Sequence, residues 1–198
     1  GFNTIDVQNI VQNLDKYYYE KVEIKIDKNT GEPKKYKDGT IKQRVLRPSV
    51  KELKTLQRRI KNNILASIPL PPNVHGGVKG HSNITNAKPH KGNKFQFTTD
   101  LLNFYPSISA RRVYETMISL GFSSHMSRWI TTLTTWKHEL PQGTPTSTHI
   151  ANLVLLETDI KLIELCNYHN ITYTRYVDDL TFSSQQDFRP LINEFLEI

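Results

Sequence analysis

The chain has 198 residues, enough for one ordinary domain or two small ones, and Leu, Ile, Val and Phe supply 28% of it, so a core can form and disorder is excluded. A single cysteine, Cys166, excludes an internal disulfide framework and a multi-cysteine zinc site and suits a reducing, cytoplasmic setting, while the longest largely apolar run, near Ile150–Leu156, is far short of the ~20 residues of a membrane helix. The net charge of +7 is split, +11 over residues 1–99 and −4 over 100–198, which suggests a polyanion gripped by the first half and multivalent cations held by the second, although a solvated basic surface fits the charge as well.

Residues 2–20 carry Ile10, Val11, Leu14 and Tyr18 at helical spacing, with Thr4 as the expected cap. Val22, Ile24 and Ile26 alternate with charged residues as in a strand, and a solvated loop or hairpin tip over 27–40 leads to a returning strand over 41–46. Pro48 and Ser49 open a helix over 50–65 that presents Leu53, Leu56, Ile60 and Ile64 on one face. The segment 67–93, with four prolines and four glycines, predicts an ordered loop or linker. A strand over 94–99 ends at Asp100. Ser109 then caps a helix running to about Leu120, where Gly121 stops it. Further helices are expected over 124–135 and 144–167, strands over 171–177 and 180–183, and an amphipathic helix over 189–198 without a C-terminal cap, which suggests a truncated chain. There is no internal repeat, and no basic-then-apolar signal segment opens the chain.

Three carboxylates stand out: Asp100 at a strand end, and the pair Asp178–Asp179 between two strands. Like charges held close repel unless a cation lies between them, and hard oxygen donors of this kind suit Mg²⁺, which takes the rest of its shell from water and substrate phosphates. Two such ions can activate a hydroxyl and neutralise a leaving pyrophosphate, the chemistry of nucleotidyl transfer. Asp-Asp also suits a plain hairpin turn. Leu140-Pro-Gln142-Gly143-Thr-Pro-Thr-Ser147 precedes the long predicted helix; its glycine permits close approach of backbone to a flat ligand and Gln142 can hydrogen-bond a base, while the same residues also make an ordinary helix start with Thr144 as cap. His75, His81 and His90 do not form a spaced metal site with Cys166. Gly76–Ser82 lacks the spacing of a Walker loop, and His138-Glu139 lacks the second histidine of a zinc protease motif.

The order Phe97-Thr-Thr-Asp100-Leu-Leu-Asn-Phe-Tyr105-Pro-Ser-Ile108, then Leu140–Ser147, then Tyr176-Val-Asp178-Asp179 resembles the three palm motifs of reverse transcriptases. The likeness is to bacterial enzymes of the retron or defence-associated type, because His75-Gly-Gly-Val-Lys-Gly80-His-Ser with Asn86-Ala87 resembles the segment they carry before the first aspartate. Arg44-Val-Leu-Arg-Pro-Ser49 and Lys51–Gln57 resemble their fingers motif. The matches cover about residues 40–183.

The resemblance implies an α+β right-hand polymerase fold: a basic fingers region over 1–93, and a palm over 94–198 with a small antiparallel sheet backed by helices, the two interleaving and the thumb absent. It implies an RNA-directed DNA polymerase using Mg²⁺, with Mn²⁺ as a substitute, acting on an RNA template and primer with dNTPs, without a membrane, and with a dedicated non-coding RNA and a role in antiviral defence as candidates. Asp100 and Asp178 would be the main metal ligands and Asp179 a weaker one. Tyr105 would stack under the sugar and exclude a 2′-hydroxyl, Gln142 and Gly143 would line the nucleotide and template site, and Arg44, with Lys42, would hold the triphosphate. Thr148 departs from the family, which often has Pro there. Two other readings fit the same sequence: a template-independent polymerase of the abortive-infection type, and a non-catalytic RNA-binding module.

Overall fold

A computed structural model describes residues 2–27 and 29–198; Lys28, within the predicted loop, lies outside the described residues. Among the described residues the architecture is α+β, with helices and two small antiparallel sheets. Contacts divide the chain into two compact units, one of residues 1–61 with 109–147 and the other of 62–108 with 148–198.

In the first unit, α1 (Thr4–Gln12) is capped by Asn3 rather than Thr4: the Asn3 side chain accepts from the Asp6 amide while Asp6 accepts from the Asn3 amide. This reciprocal box satisfies two amides that a helix start otherwise leaves unpaired. The predicted helix over 2–20 breaks at Asn13 and continues only as a 3-10 turn, Leu14–Tyr17. Strands β1 (Lys21–Ile24) and β2 (Gln43–Leu46) pair in antiparallel register from Lys21 opposite Leu46 to Ile24 opposite Gln43. The connection between them is more ordered than a solvated loop, since Ile26 bridges Pro33 and Lys35 bridges Ile41.

Helix α2 (Lys51–Asn63) buries Leu53 and Ile60 as its periodicity predicts, but its third buried residue is Gln57 rather than Leu56. The amide can be buried because all of its polarity is met: Ser49 donates to its oxygen at 2.5 Å, and its nitrogen donates to the Tyr18 hydroxyl at 3.0 Å and the Leu133 carbonyl at 2.8 Å. Tyr18 stacks on Trp136 at 5.0 Å between ring centroids. Helices α5 (Ala110–Ser119) and α6 (Ser124–Thr134), capped by Ser109 and Ser123, contribute Val113, Met117, Ile130 and Leu133 to this unit's core.

The second unit contains the segment 67–93, largely irregular as its composition predicts, with one short helix, α3 (Asn83–Ala87), and a 3-10 turn, Lys88–His90. Its sheet has the order β3 (Phe95–Asp100), β5 (Asp179–Ser184), β4 (Thr172–Tyr176), antiparallel throughout. A four-residue helix, α4 (Phe104–Ser107), follows β3 after Asn103, whose φ of 50° is left-handed. The helix expected over 144–167 is two helices, α7 (Ser147–Val154) and α8 (Leu156–Tyr168), divided at Leu155, where ψ is 1° rather than the roughly −42° of a regular helix. Thr144 lies outside both; its hydroxyl meets those of Thr146 and Ser147. At the C-terminal side, a 3-10 turn, Arg189–Leu191, leads into α9 (Ile192–Glu197).

One face of this sheet is apolar. Tyr173, Leu180 and Phe182 pack with Leu162 and Cys166 of α8, with Phe188, and with Phe195 of α9, whose ring lies nearly parallel to that of Phe182 at 4.6 Å. Burial pushes the Cys166 thiol up to about 12, the behaviour of a core residue rather than a nucleophile. The opposite face is polar. His90 bridges Ser183 and Thr174 through its two ring nitrogens at 2.6 and 2.8 Å, and Asn93 donates to the Ser183 hydroxyl. Among the described residues no helix is long and apolar enough to cross a membrane.

Candidate active site

The polar face of the three-stranded sheet ends in carboxylates. Side chains alternate along β3, so Phe95 and Phe97 turn toward the core while Gln96, Thr98 and Asp100 turn outward. The antiparallel register sets Asp100 directly opposite Asp179, and Asp179 is in turn opposite Tyr176 on β4. Residues opposite one another in such a pair have Cα atoms roughly 4.5–5.5 Å apart and share a face. A backbone hydrogen bond from the Leu101 amide to the Asp178 carbonyl, 3.1 Å, extends the pairing one step past the strand ends. Asp100 and Asp179 are exposed and Asp178 is half-buried.

Asp178 lies in the two-residue turn Val177–Asp178 between β4 and β5. Positive φ falls on Val177, at +62°, and not on Asp178, the pattern of a type II′ hairpin turn. That position favours glycine, and a β-branched residue held there costs on the order of 1–3 kcal/mol, which the surroundings must supply. Two sets of contacts do so. Gly76 abuts the turn so closely that a Cβ on it would stand 2.3 Å from the Val177 nitrogen, and the adjoining chain is tied to β4 by hydrogen bonds from the His75 amide to the Arg175 carbonyl, 2.8 Å, and from the Arg175 amide to the Asn73 carbonyl, 2.9 Å. Beneath the turn lies a buried ion pair: Arg175 Nε and Nη2 donate to the two oxygens of Asp159 at 2.8 and 2.5 Å. Arg175 Nη1 donates to Asn152 Oδ1 at 2.9 Å and to the Val177 carbonyl at 2.7 Å. Removing one member of a pair this deeply buried costs about 3–5 kcal/mol, because the other charge is stranded.

Tyr105, on α4, belongs to the same neighbourhood. Its hydroxyl lies 3.1 Å from that of Thr148. Burial raises the phenol above its ordinary value and the Asp178 carboxylate adds to the rise, against the opposing hydrogen bond to Thr148 and the charge of Arg175. Gly77, at φ +73°, allows Thr148 to come close, since a Cβ there would lie 2.3 Å from Thr148 Cγ2.

The other predicted residues lie in the first unit. Arg44 on β2 is exposed and faces Glu23, its register partner, at 3.7 Å. Lys42 holds its ammonium 4.9 Å above the Tyr36 ring centroid. The Gln142 carbonyl accepts from the Arg47 amide at 2.7 Å, and Gly143, at φ +103°, takes a conformation open chiefly to glycine beside Leu46 and Pro48. Arg47 is gripped by Glu20 and Glu139.

No three His, Cys, Asp or Glu side chains form a closed metal cage among the described residues. Consecutive residues of an extended chain point to opposite sides, so an Asp-Asp pair does not by itself direct both carboxylates at one ion. The donors nonetheless fit a hard divalent cation that carries substrate: Mg²⁺ takes one or two protein carboxylates and completes its shell with water and phosphate oxygens. Sequence reasoning missed Asn152, Asp159 and Arg175. The one visible signal was a charged residue at Arg175 in a strand otherwise made for burial, and Asp159 and Asn152 look like ordinary helix residues.

The family model described as Reverse transcriptase (RNA-dependent DNA polymerase) matches residues 32–197. The chain is 38% identical over 141 residues to the Retron Ec86 reverse transcriptase of Escherichia coli, covering 71% of this chain and 44% of that protein. It is 35% identical over 158 residues to the Retron Mx65 reverse transcriptase of Myxococcus xanthus, covering 71% and 37%. A third relative, the Retron Se72 reverse transcriptase of Salmonella heidelberg (strain 579083-10), is 33% identical over 147 residues, covering 74% and 39%. The chain thus spans less than half the length of these relatives.

Proposed function

The chain belongs to the reverse transcriptase family, and from that premise we propose that it is the fingers and palm portion of a retron-type RNA-directed DNA polymerase. The fingers would extend over 1–93 and the palm over 94–198, with the setting in the cytoplasm. The observation that carries the reading is the meeting of Asp100 with Asp179 across the β3–β5 ladder, continued by the Leu101–Asp178 backbone bond.

In the proposed reaction the primer 3′-oxygen forms a bond to the α-phosphorus of a dNTP, the α–β phosphoanhydride breaks, pyrophosphate leaves and the hydroxyl proton passes to solvent. Asp100 and Asp178, with Asp179 in support, would hold two Mg²⁺ or Mn²⁺ ions, which lower the pKa of the attacking hydroxyl and neutralise the pyrophosphate. The ring of Tyr105 would lie under the deoxyribose and leave no room for a 2′-hydroxyl. Arg44 and Lys42 would bind the triphosphate through charge-assisted contacts, after Arg44 exchanges Glu23 for phosphate. Gln142 and Gly143 would line the base and template. Most of the other lysines over 16–61 would be surface charges or would contact phosphates of the duplex without reading its sequence. An RNA template, a primer, dNTPs and a dedicated non-coding RNA are the proposed partners.

The test is primer extension on an RNA template by the full-length protein and its Asp178→Asn variant, with Mg²⁺. Template-directed products from the wild type and a loss of at least a hundredfold in the variant are expected. Equal activity in the two refutes the role of Asp178. Products of unrelated sequence that form without added RNA would instead support untemplated synthesis, and absence of nucleotide addition with either ion would support an RNA-binding module.

A further inference from the structure

We propose that Arg175, fixed by Asp159 and Asn152, is a positioning residue that holds the Val177–Asp178 turn in the strained form that sets Asp179 opposite Asp100 and the Asp178 carbonyl on the Leu101 amide; this rests on the polymerase reading above. A guanidinium carries five N–H donors in a rigid planar fork, and here three separate acceptors use it: the Asp159 carboxylate takes two donors, and Nη1 serves both the Asn152 side chain and the Val177 carbonyl. Arg175 and Asp159 are fully buried, so the fork cannot swing out to water.

The bond to Val177 matters most. Its carbonyl oxygen belongs to the peptide joining Val177 to Asp178, so holding that oxygen fixes the plane from which Asp178 departs. The preceding peptide is held from another side: the Asn152 side-chain Nδ2 donates to the Gly76 carbonyl at 2.9 Å, and Gly76 packs against the Val177 nitrogen. One buried cluster, rooted in α7 and α8, therefore grips both peptides flanking a valine that sits at φ +62°. An ion pair needed only for stability has no reason to reach the turn, since buried pairs are often matched or exceeded by well-packed apolar residues. Lysine keeps the charge but offers a point donor that cannot meet Asp159, Asn152 and Val177 together.

The experiment uses the full-length protein and a double-mutant cycle of Arg175→Lys with Val177→Gly. Glycine adopts positive φ without the steric cost, so it should relieve the turn of its dependence on Arg175. Two readouts are taken: the Mg²⁺ dependence of single-turnover dNTP addition, and hydrogen exchange of residues 176–180 in the absence of metal and nucleotide. R175K is expected to lower the saturating rate by roughly 10–100-fold, to raise the Mg²⁺ concentration at half-maximal rate, and to speed exchange at the turn, with template–primer affinity changed less than about twofold. Val177→Gly introduced into R175K is expected to recover about fivefold or more of the rate and to slow the exchange again. Should R175K fail to fold, Asn152→Ala, which leaves the ion pair in place, is expected to shift both readouts in the same direction with the same rescue. Unchanged metal dependence and exchange in R175K, or strictly additive effects in the cycle, overturn the assignment while leaving the polymerase reading intact. A wild type that adds no nucleotide with any divalent ion overturns the polymerase reading, and this inference with it.

Discussion

Gly76→Ala tests the support of the aspartate turn with a single methyl group. Gly76 has no left-handed backbone to lose, so the substitution acts through space alone. The added carbon would stand 2.3 Å from the Val177 nitrogen, 2.5 Å from Val177 Cγ2 and 2.9 Å from the Tyr176 carbonyl carbon, and two of these neighbours are backbone. Ordinary contact begins near 3.4 Å, so the segment and the turn must part by about 1 Å. Overpacking of this kind costs about 1–3 kcal/mol, and weakening the bonds from His75 to Arg175 and from Asn152 to Gly76 adds about 1 kcal/mol, for a total of roughly 2–4 kcal/mol. In a chain of this size that corresponds to a fall of roughly 5–15 °C in Tm. Displacing reacting groups by about 1 Å costs on the order of a hundredfold in rate. Thermal unfolding and single-nucleotide addition measure the two effects. Gly80→Ala is the control: Gly80 has φ +83° with open space around it, so only backbone strain of about 1–2 kcal/mol is expected, with no effect on chemistry. A Gly76→Ala protein with wild-type stability and rate would refute the packing of this segment against the turn.

Thr148→Val removes the hydroxyl partner of Tyr105 while keeping its shape, and discrimination against ribonucleotides is expected to fall about fivefold, the worth of one neutral hydrogen bond; the ratio of kcat/KM for a dNTP and its ribonucleotide measures it. Phe182→Ala removes a ring stacked against Phe97, Tyr173 and Phe195 and is expected to cost about 3–5 kcal/mol in denaturant unfolding. Burial lowers the pKa values of His75 and His90 below the ordinary histidine value, each lowered further by a neighbouring histidine, His81 for His75 and His75 for His90. Both are therefore more readily protonated when unfolded: their contribution to stability is full above about pH 6.5 and is lost as the pH falls through their folded values. Urea unfolding between pH 7.5 and 5 should show that decline, and His90→Gln should flatten it.

The aspartates were legible because they stand in short patterns whose neighbours declare a strand end and a turn. The alternation over 94–99 marked a strand ending at Asp100, and the strands around Asp178–Asp179 made a hairpin the natural reading, although the turn itself is Val177–Asp178 and Asp179 already belongs to β5. Helix ends were less legible. Asn3 displaced Thr4 as a cap because the Asp6 side chain completes a reciprocal box, and the long predicted helix divides at Leu155 with neither Pro nor Gly to announce it.

By itself the order of residues along the chain determined the longer helices and the strands, and the family, since these depend on local conformational preference and on the spacing of motifs. Only the tertiary structure decided that Gln57 is a core residue, that Gly76 must lack a side chain, and that Arg175 reaches across to Val177, Asn152 and Asp159. A buried polar group is tolerated when partners far away in sequence satisfy it, and neither composition nor periodicity records where those partners will come from.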